Sequence, residues 1–201
     1  MTWIKTIPYE DADKKLQKIY DRVKSPDGQI DNILAAHSLR PHTLVGHMTL
    51  YKNVLHNSNN ALPKWYLETI GTQVSLLNKC EYCVRHHFYG LKRLLQDDEL
   101  ADKIYTVLKN GFYSQHFSGK HYAGLRYAKE LTLMPYAMDE NNMMLLRNAG
   151  LDDGEILEIN QVVAYFNYAN RTVLGLGITT ENEVLGLSPN DSGDPENWGH
   201  D

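Results

Sequence analysis

Two closely spaced cysteines are the clearest chemical feature of the sequence. Cys80 and Cys83 are its only cysteines, and their segment also carries His86 and His87, with Glu68 twelve residues before Cys80. Positions i and i+3 of a helix lie on one face, so these two thiols can form a disulfide without a large backbone movement. The spacing therefore makes a reversible dithiol switch available.

The local sequence predicts that a helix begins at Lys79. Asn78 is a favourable N-cap residue, and Glu81 follows three residues later, as in a capping box. Cys80 then lies in the first helical turn, where unpaired N–H groups and the helix dipole lower the pKa of a thiol. This argument alone favours Cys80 as the reactive sulfur.

A histidine one turn further on can serve as the base for this chemistry. Cys80, Cys83 and His87 fall at i, i+3 and i+7 and share one stripe of the helix. Imidazole titrates near neutral pH, so His87 is placed to take the proton of Cys83. His86 lies about 100° further round the helix. We interpret it as packing elsewhere or facing water, although its i+3 spacing from Cys83 would let it substitute for His87.

A carboxylate on the preceding segment can complete the group. Glu68 belongs to a predicted helix, and it can approach Cys83 and His87 if the chain turns back near Asn78. It would then orient the imidazole or accept its proton, directly or through water. An exposed helix glutamate is the alternative interpretation of Glu68.

Composition narrows the classes of partner. The 201 residues include 42% hydrophobic residues, enough for one domain with a sizeable core. The formal net charge of −5 and the scattered basic residues argue against binding to nucleic acid or to an anionic membrane. Without a signal-like or membrane-spanning apolar run, we expect a cytoplasmic protein whose partners are small molecules or proteins.

Metal binding and a thioredoxin-like domain are the competing interpretations of Cys-x-x-Cys. Tetrahedral zinc holds its ligand atoms about 4 Å apart, whereas positions 80 and 87 of one helix are separated by about 10 Å. Zinc held by the two cysteines and distant residues stays open as an alternative. A thioredoxin-like domain needs a strand before the motif, but residues 62–77 are predicted to be helical.

Apolar residues at helical spacing dominate the chain and predict an all-α fold. Proline and glycine separate the periodic segments, and no segment has a convincing strand pattern. After about residue 180 the chain becomes polar, and we expect residues 181–201 to form a mobile tail; an arm that docks on a neighbouring subunit through Trp198 is the alternative. The predicted helices are 10–24, 42–56, 63–77, 79–96, 98–109, 119–133, 139–148 and 153–174.

The spacing Glu, eleven residues, Cys-x-x-Cys, three residues, His is a recognisable pattern. It resembles the alkyl hydroperoxidase D-like proteins of the carboxymuconolactone decarboxylase superfamily, particularly their peroxidase-related branch. Neighbouring segments agree with this resemblance, including Leu125-Arg126-Tyr127-Ala128 and Phe166-Asn167-Tyr168-Ala169-Asn170-Arg171. The resemblance covers about residues 8 to 180. We therefore predict a single all-α domain, residues 1–180, followed by the tail. The resemblance implies a multi-helix bundle. A faint similarity between Leu67-Glu68 and Leu157-Glu158, each with its following helix, further suggests that the bundle contains duplicated helical hairpins.

The resemblance also implies residue roles. Cys83 would be the thiolate that attacks peroxide, Cys80 the resolving thiol, and Glu68 with His87 a proton relay. Some relatives carry a histidine between the cysteines where this chain has Tyr82, whose phenol is a poor base at neutral pH. We expect Tyr82 to be a packing residue. The resemblance further implies a homo-oligomer, such as a dimer, trimer or hexamer.

The resulting prediction is thiol-dependent reduction of hydroperoxides, an alkyl hydroperoxide reductase-like, peroxiredoxin-type activity. It needs no bound cofactor and no metal, but it needs an external dithiol reductant of the lipoyl or thioredoxin type. A redox-responsive sensor or interaction subunit is one alternative, and another carboxymuconolactone decarboxylase-like enzyme is a second. Asn167, Asn170 and Arg171 are interpreted as a subunit contact or a buried hydrogen-bond network rather than as catalytic residues.

Overall fold

The computed structural model describes residues 1–199 and is all-α, as the sequence predicts. No β-strand occurs among these residues, and none of their helices is long and apolar enough to cross a membrane. Residues 1–199 contain nine α-helices and three short 3-10 turns. The helices are α1 (Lys14–Val23), α2 (Asn32–Ala36), α3 (Pro41–Leu55), α4 (Lys64–Leu77), α5 (Glu81–Leu95), α6 (Asp98–Asn110), α7 (Gly119–Leu133), α8 (Glu140–Asn148) and α9 (Asp153–Leu176).

Local capping explains why several helices begin where they do. Four begin after an aspartate whose carboxylate accepts a hydrogen bond from a backbone N–H of the first turn. Such a cap satisfies a donor that would otherwise lack a partner. The observed bounds agree with the predicted ones to within a few residues, except that α1 begins later than predicted and the short α2 was not predicted. The capping residues are Asp13, Asp97, Asp139 and Asp152.

Helix α4 is the centre of the bundle. Its residues 66–75 are all buried, and it packs against α5, α7 and α9. Gly71 permits the close approach of α9, because a Cβ atom at that position would overlap the ring of Phe166. The helix that carries Glu68 is thereby fixed on several sides.

The turn between α4 and α5 differs from the prediction. Asn78 is the C-cap of α4 and not the N-cap of α5, and Cys80 occupies the N-cap position of α5. Lys79 lies between them with φ +57°, in the left-handed region, which lets the chain reverse within one residue. The Asn78 side chain is unavailable to cap α5 because it donates to Asn167 and Asn170 at 3.0 and 2.9 Å.

The segment after α9, predicted as a polar tail, packs against its own chain through Trp198. Trp198 is 1% exposed and packs into an apolar cluster of its own chain with residues of α1, α2 and α3. The guanidinium of Arg22 lies 3.7 Å from the centroid of its ring. We call residues 180–199 the C-terminal arm. Residues 200 and 201 of the predicted tail lie outside the described residues.

The predicted duplication of helical hairpins stays a prediction. Glu158, the proposed counterpart of Glu68, serves a different purpose in the structure. Its two carboxylate oxygens accept hydrogen bonds from the backbone N–H groups of Ala61 and Leu62 at 2.7 and 2.9 Å. Glu158 therefore fixes the loop that leads into α4.

Candidate active site

The α4–α5 turn brings both cysteines together as free thiols. Cys80 Sγ and Cys83 Sγ lie 3.2 Å apart, and both residues are buried. This separation is a hydrogen-bonding distance for two thiols. A disulfide needs only a further approach of the two sulfurs, whose bond length is about 2.05 Å.

The contact between the sulfurs moves their pKa values in opposite directions. The hydrogen bond with Cys83 lowers the pKa of Cys80. The same contact, reinforced by burial, raises the pKa of Cys83 well above its ordinary value. The resting pair therefore holds its most acidic thiol at Cys80, in line with the helix-start argument, and Cys83 needs a base to become a thiolate.

Asn170 contacts Cys83. The sequence did not reveal that this residue lies near the thiols. Its side chain is fully buried, donates to Ser75 Oγ at 3.1 Å and accepts from Asn78 at 2.9 Å. A hydrogen bond from Asn170 lowers the pKa of Cys83 and partly offsets the effect of burial. Of the polar patch on α9, Asn170 is buried in a hydrogen-bond network that reaches Cys83, whereas Asn167 is half-buried and Arg171 is exposed.

Glu68 and His87 form a buried pair beside Cys83. Glu68 Oε2 and His87 Nδ1 are 2.8 Å apart, and their side chains are 2% and 12% exposed. Glu68 Oε1 also lies 3.9 Å from His56 Nε2. The carboxylate is therefore not the exposed helix glutamate of the alternative interpretation. Because it holds Nδ1 of His87, it leaves Nε2 for a reacting group.

Cys83, Glu68 and His87 line one internal cavity of about 50 Å³. His86 lines the same cavity, whereas the sequence interpretation had it packing elsewhere or facing water. A cavity of this volume has room for a few water-sized groups. Its remaining wall comes from α3, α5, α9, the start of α2 and the C-terminal arm, and includes Asp31, His47, Met48, Tyr51, Tyr82, Tyr165, Ala169, Leu187 and Ser188.

Burial keeps several cavity groups neutral. It raises the pKa values of Tyr51 and Tyr165 well above the ordinary phenol value, with further contributions from Glu68 and Cys83. Burial also lowers the pKa of His47 to about 3. These three side chains therefore act as neutral hydrogen-bonding groups around the thiol and not as proton carriers at neutral pH.

Cys80 is 0% exposed but belongs to the wall of a different cavity. It lines a groove of about 340 Å³ formed by the start of α5, the end of α9 and the first residues of the arm, including Glu81, Val173, Ile178 and Thr180. The two sulfurs are thus in contact with each other while Cys83 borders the inner cavity and Cys80 the groove.

A second carboxylate, which sequence reasoning missed, binds His86. Glu183 of the C-terminal arm lies 3.1 Å from His86 Nε2 and accepts a hydrogen bond from Tyr82 OH at 2.9 Å. Tyr82 also accepts one from the backbone N–H of Ile33 at 3.4 Å. Tyr82 is buried, as predicted for a packing residue, and its hydroxyl additionally belongs to this polar group.

The potential metal ligands do not converge. Within residues 1–199, no three His, Cys, Asp or Glu side chains are grouped so that they could hold a metal ion. The site can therefore support the chemistry of two paired thiols with adjacent histidine–carboxylate pairs.

Comparison with known proteins locates the fold. No protein-family model and no curated protein match the chain. Among solved structures, it is similar to an alkylhydroperoxidase AhpD-core, peroxidase-related protein from Ralstonia eutropha, with 18% identity, coverage of 90% of this chain and 93% of that chain, and a TM-score of 0.77. A peroxidase-related protein from Silicibacter sp. has 24% identity, coverage of 89% and 91%, and a TM-score of 0.75.

The debrominase Bmp8 is a further structural neighbour. It has 17% identity, coverage of 88% of this chain and 91% of that chain, and a TM-score of 0.69. The fold therefore supports more than one activity, and function must be argued from the site. At these identities the likeness is one of fold: the chain has the all-α fold of the alkylhydroperoxidase AhpD-like proteins, as the sequence predicted.

Proposed function

We propose that the protein is a thiol peroxidase that reduces small hydroperoxides to alcohols. The observation that carries this proposal is the contact of two reduced sulfurs at 3.2 Å, one of which borders a cavity that also holds a buried Glu68–His87 pair. A thiol with a base one helical turn away and a carboxylate on that base is an activated nucleophile, in which the base offsets the raised pKa of Cys83. The occurrence of the fold in peroxidase-related proteins supports the same activity.

The catalytic cycle starts when the proton of Cys83 passes to His87, with Glu68 stabilising the imidazolium. The Cys83 thiolate attacks the terminal oxygen of ROOH; the S–O bond forms, the O–O bond breaks, and the alkoxide takes up a proton to leave as ROH. The sulfur has then been oxidised to a sulfenic acid. The Cys80 thiol displaces water from it and forms the Cys80–Cys83 disulfide.

An external dithiol closes the cycle by thiol–disulfide exchange. Cys80 belongs to the wall of the groove of about 340 Å³, which favours it as the sulfur that the reductant attacks. Because Cys80 is 0% exposed, the start of α5 must move to admit the reductant. The reductant forms a mixed disulfide with Cys80, releases Cys83 as a thiol, and leaves as a disulfide. A lipoyl or thioredoxin-type protein would supply this chemistry.

The inner cavity favours a small substrate. Its volume of about 50 Å³ suits hydrogen peroxide or a short alkyl hydroperoxide. Bmp8 has been crystallised, as a cysteine variant, with 2,3,4-tribromopyrrole. A ring of that kind needs more space, since benzene fills an engineered cavity of about 150 Å³. The dimensions therefore support hydroperoxide reduction over dehalogenation of such a ring.

Cysteine variants test the proposal. We expect Cys83→Ser to abolish hydroperoxide consumption in the presence of a dithiol. Cys80→Ser should consume one equivalent and stop with a sulfenic acid that a dimedone probe traps on Cys83. Full activity in both variants would contradict the scheme, and a redox-dependent change in assembly without turnover would favour the sensor alternative.

A further inference from the structure

The C-terminal arm is fixed against the domain at several points. Lys52, which is fully buried, donates to the backbone oxygen of Asn190, and Arg93 donates to the backbone oxygen of Gly186 at 3.1 Å. Gly186 has φ +79°, and a Cβ there would lie 2.8–2.9 Å from the backbone of Tyr89 and Gly90. The arm thus crosses α5 with room only for glycine, and its following residues reach the wall of the cavity.

Glu183 is where the arm inserts a charge into the protein. Its carboxylate is only 3% exposed. It accepts hydrogen bonds from the backbone N–H of Asn32 and from Tyr82 OH, and it lies 3.1 Å from His86 Nε2. Burying a carboxylate is costly unless donors surround it. Three donors, one on α2 and two on α5, meet this requirement and fix the imidazole of His86.

The two histidines after Cys83 are held in complementary ways. Glu68 holds His87 through Nδ1, whereas Glu183 holds His86 through Nε2. Their carboxylates come from different parts of the chain, and the two imidazoles therefore present different ring nitrogens. Both histidines line the cavity that Cys83 borders.

Reduction of a hydroperoxide needs two proton transfers. One proton leaves Cys83, and another must reach the departing alkoxide, which is a strong base. A single histidine that has just accepted a proton can supply it only if it also reaches the second oxygen. Two histidines in one cavity allow separate groups to act as base and acid.

We propose that Glu183 is a positioning residue that holds protonated His86 as the general acid for the leaving oxygen, while His87 serves as the base. This inference rests on the proposed peroxidase function and deepens it. As the O–O bond breaks, the proton on His86 Nδ1 passes to the alkoxide, which leaves as the alcohol. The charged and titratable groups facing His86 are Glu183, Tyr82 and Asp31.

Leaving-group dependence tests this role. Ethyl hydroperoxide and peroxyacetic acid are similar in size, but the first releases a basic alkoxide and the second a weakly basic carboxylate. We expect Glu183→Gln to slow single-turnover oxidation of Cys83 by ethyl hydroperoxide about 10²-fold and to slow oxidation by peroxyacetic acid far less. Glu181→Gln makes the same charge change at an exposed arm position and should change neither rate.

The outcomes distinguish a role of Glu183 in positioning the general acid from a role in anchoring the arm. Equal slowing with both oxidants would mean that Glu183 only anchors the arm, and it would overturn the inference. Should Glu183→Gln undock the arm, as Trp198 fluorescence would report, His86→Gln provides the second variant and should show the same dependence on the leaving group. Unchanged selectivity in His86→Gln would also overturn the inference but leave the peroxidase proposal intact. Absence of any Cys83-dependent reaction in the unaltered protein would overturn both.

Discussion

Glu68 and His87 are nineteen residues apart in the sequence and 2.8 Å apart in the structure, between Oε2 and Nδ1. The one-residue reversal at Lys79 makes this possible, because it lays α5 back along α4. The pair stands beside a thiol whose pKa is raised. A base oriented by a buried carboxylate is what such a thiol requires before it can attack an electrophile.

The first prediction concerns this pair. Glu68→Gln keeps the shape of the side chain but cannot stabilise an imidazolium, so we expect Cys83 oxidation to slow about 10²-fold. Stopped-flow measurement of sulfenic acid formation would report this rate. Glu81→Gln, at an exposed position at the start of α5, is the matched control and should retain the rate. An undiminished rate in Glu68→Gln would exclude the pair as the relay.

The second prediction is a pH shift. Contact with Cys80 is the largest cause of the raised pKa of Cys83. Cys80→Ser removes the neighbouring sulfur, so the pKa of Cys83 should fall and its alkylation should begin at lower pH than in the unaltered protein. Iodoacetamide labelling followed by mass spectrometry of the peptide would give the midpoint. A midpoint that stays in place or rises would show that burial dominates.

The third prediction concerns substrate size. Leu187 of the arm lines the cavity, and Leu187→Ala should enlarge it. We expect the rate with cumene hydroperoxide to rise relative to the rate with hydrogen peroxide. Val184→Ala changes an exposed side chain of the same arm and should leave the ratio unchanged. If Leu187→Ala leaves the ratio unchanged as well, the arm does not set substrate size.

The fourth prediction tests the helix packing that holds Glu68. Gly71→Ala would place a methyl group on the ring of Phe166, and we expect a loss of about 1–3 kcal/mol in the free energy of unfolding. Gly46→Ala on α3 meets no atom within 4 Å and should instead stabilise the protein by about 0.5–1 kcal/mol. Urea denaturation of both variants would measure the two effects. Equal effects would show that α4 and α9 are not closely packed at Gly71.

The sequence predicts most of the fold because helical periodicity is a local signal. Seven of the eight predicted helices match observed ones to within two residues at each end, and the eighth starts four residues early. The error at Asn78 has a long-range cause. Its side chain is a good N-cap in isolation, but Asn167 and Asn170, about ninety residues later, accept its amide hydrogens.

The proximity of Glu68, Cys80, Cys83 and His87 follows from helix spacing and one turn, so sequence reasoning could anticipate it. Glu183 could not be found in this way, because it lies in a polar segment without periodicity, 97 residues from its partner His86. The docking of the arm depends on Trp198 entering a cluster built from the first 48 residues. Composition alone does not reveal such a contact.

The most direct test of the account is a thiol count before and after one equivalent of hydrogen peroxide, without added reductant. The account predicts two reactive thiols in the denatured protein before treatment and none after it. Mass spectrometry should then find a Cys80–Cys83 disulfide within a single peptide. Two thiols remaining after treatment, or oxidation of other residues with both cysteines intact, would contradict the proposed redox couple.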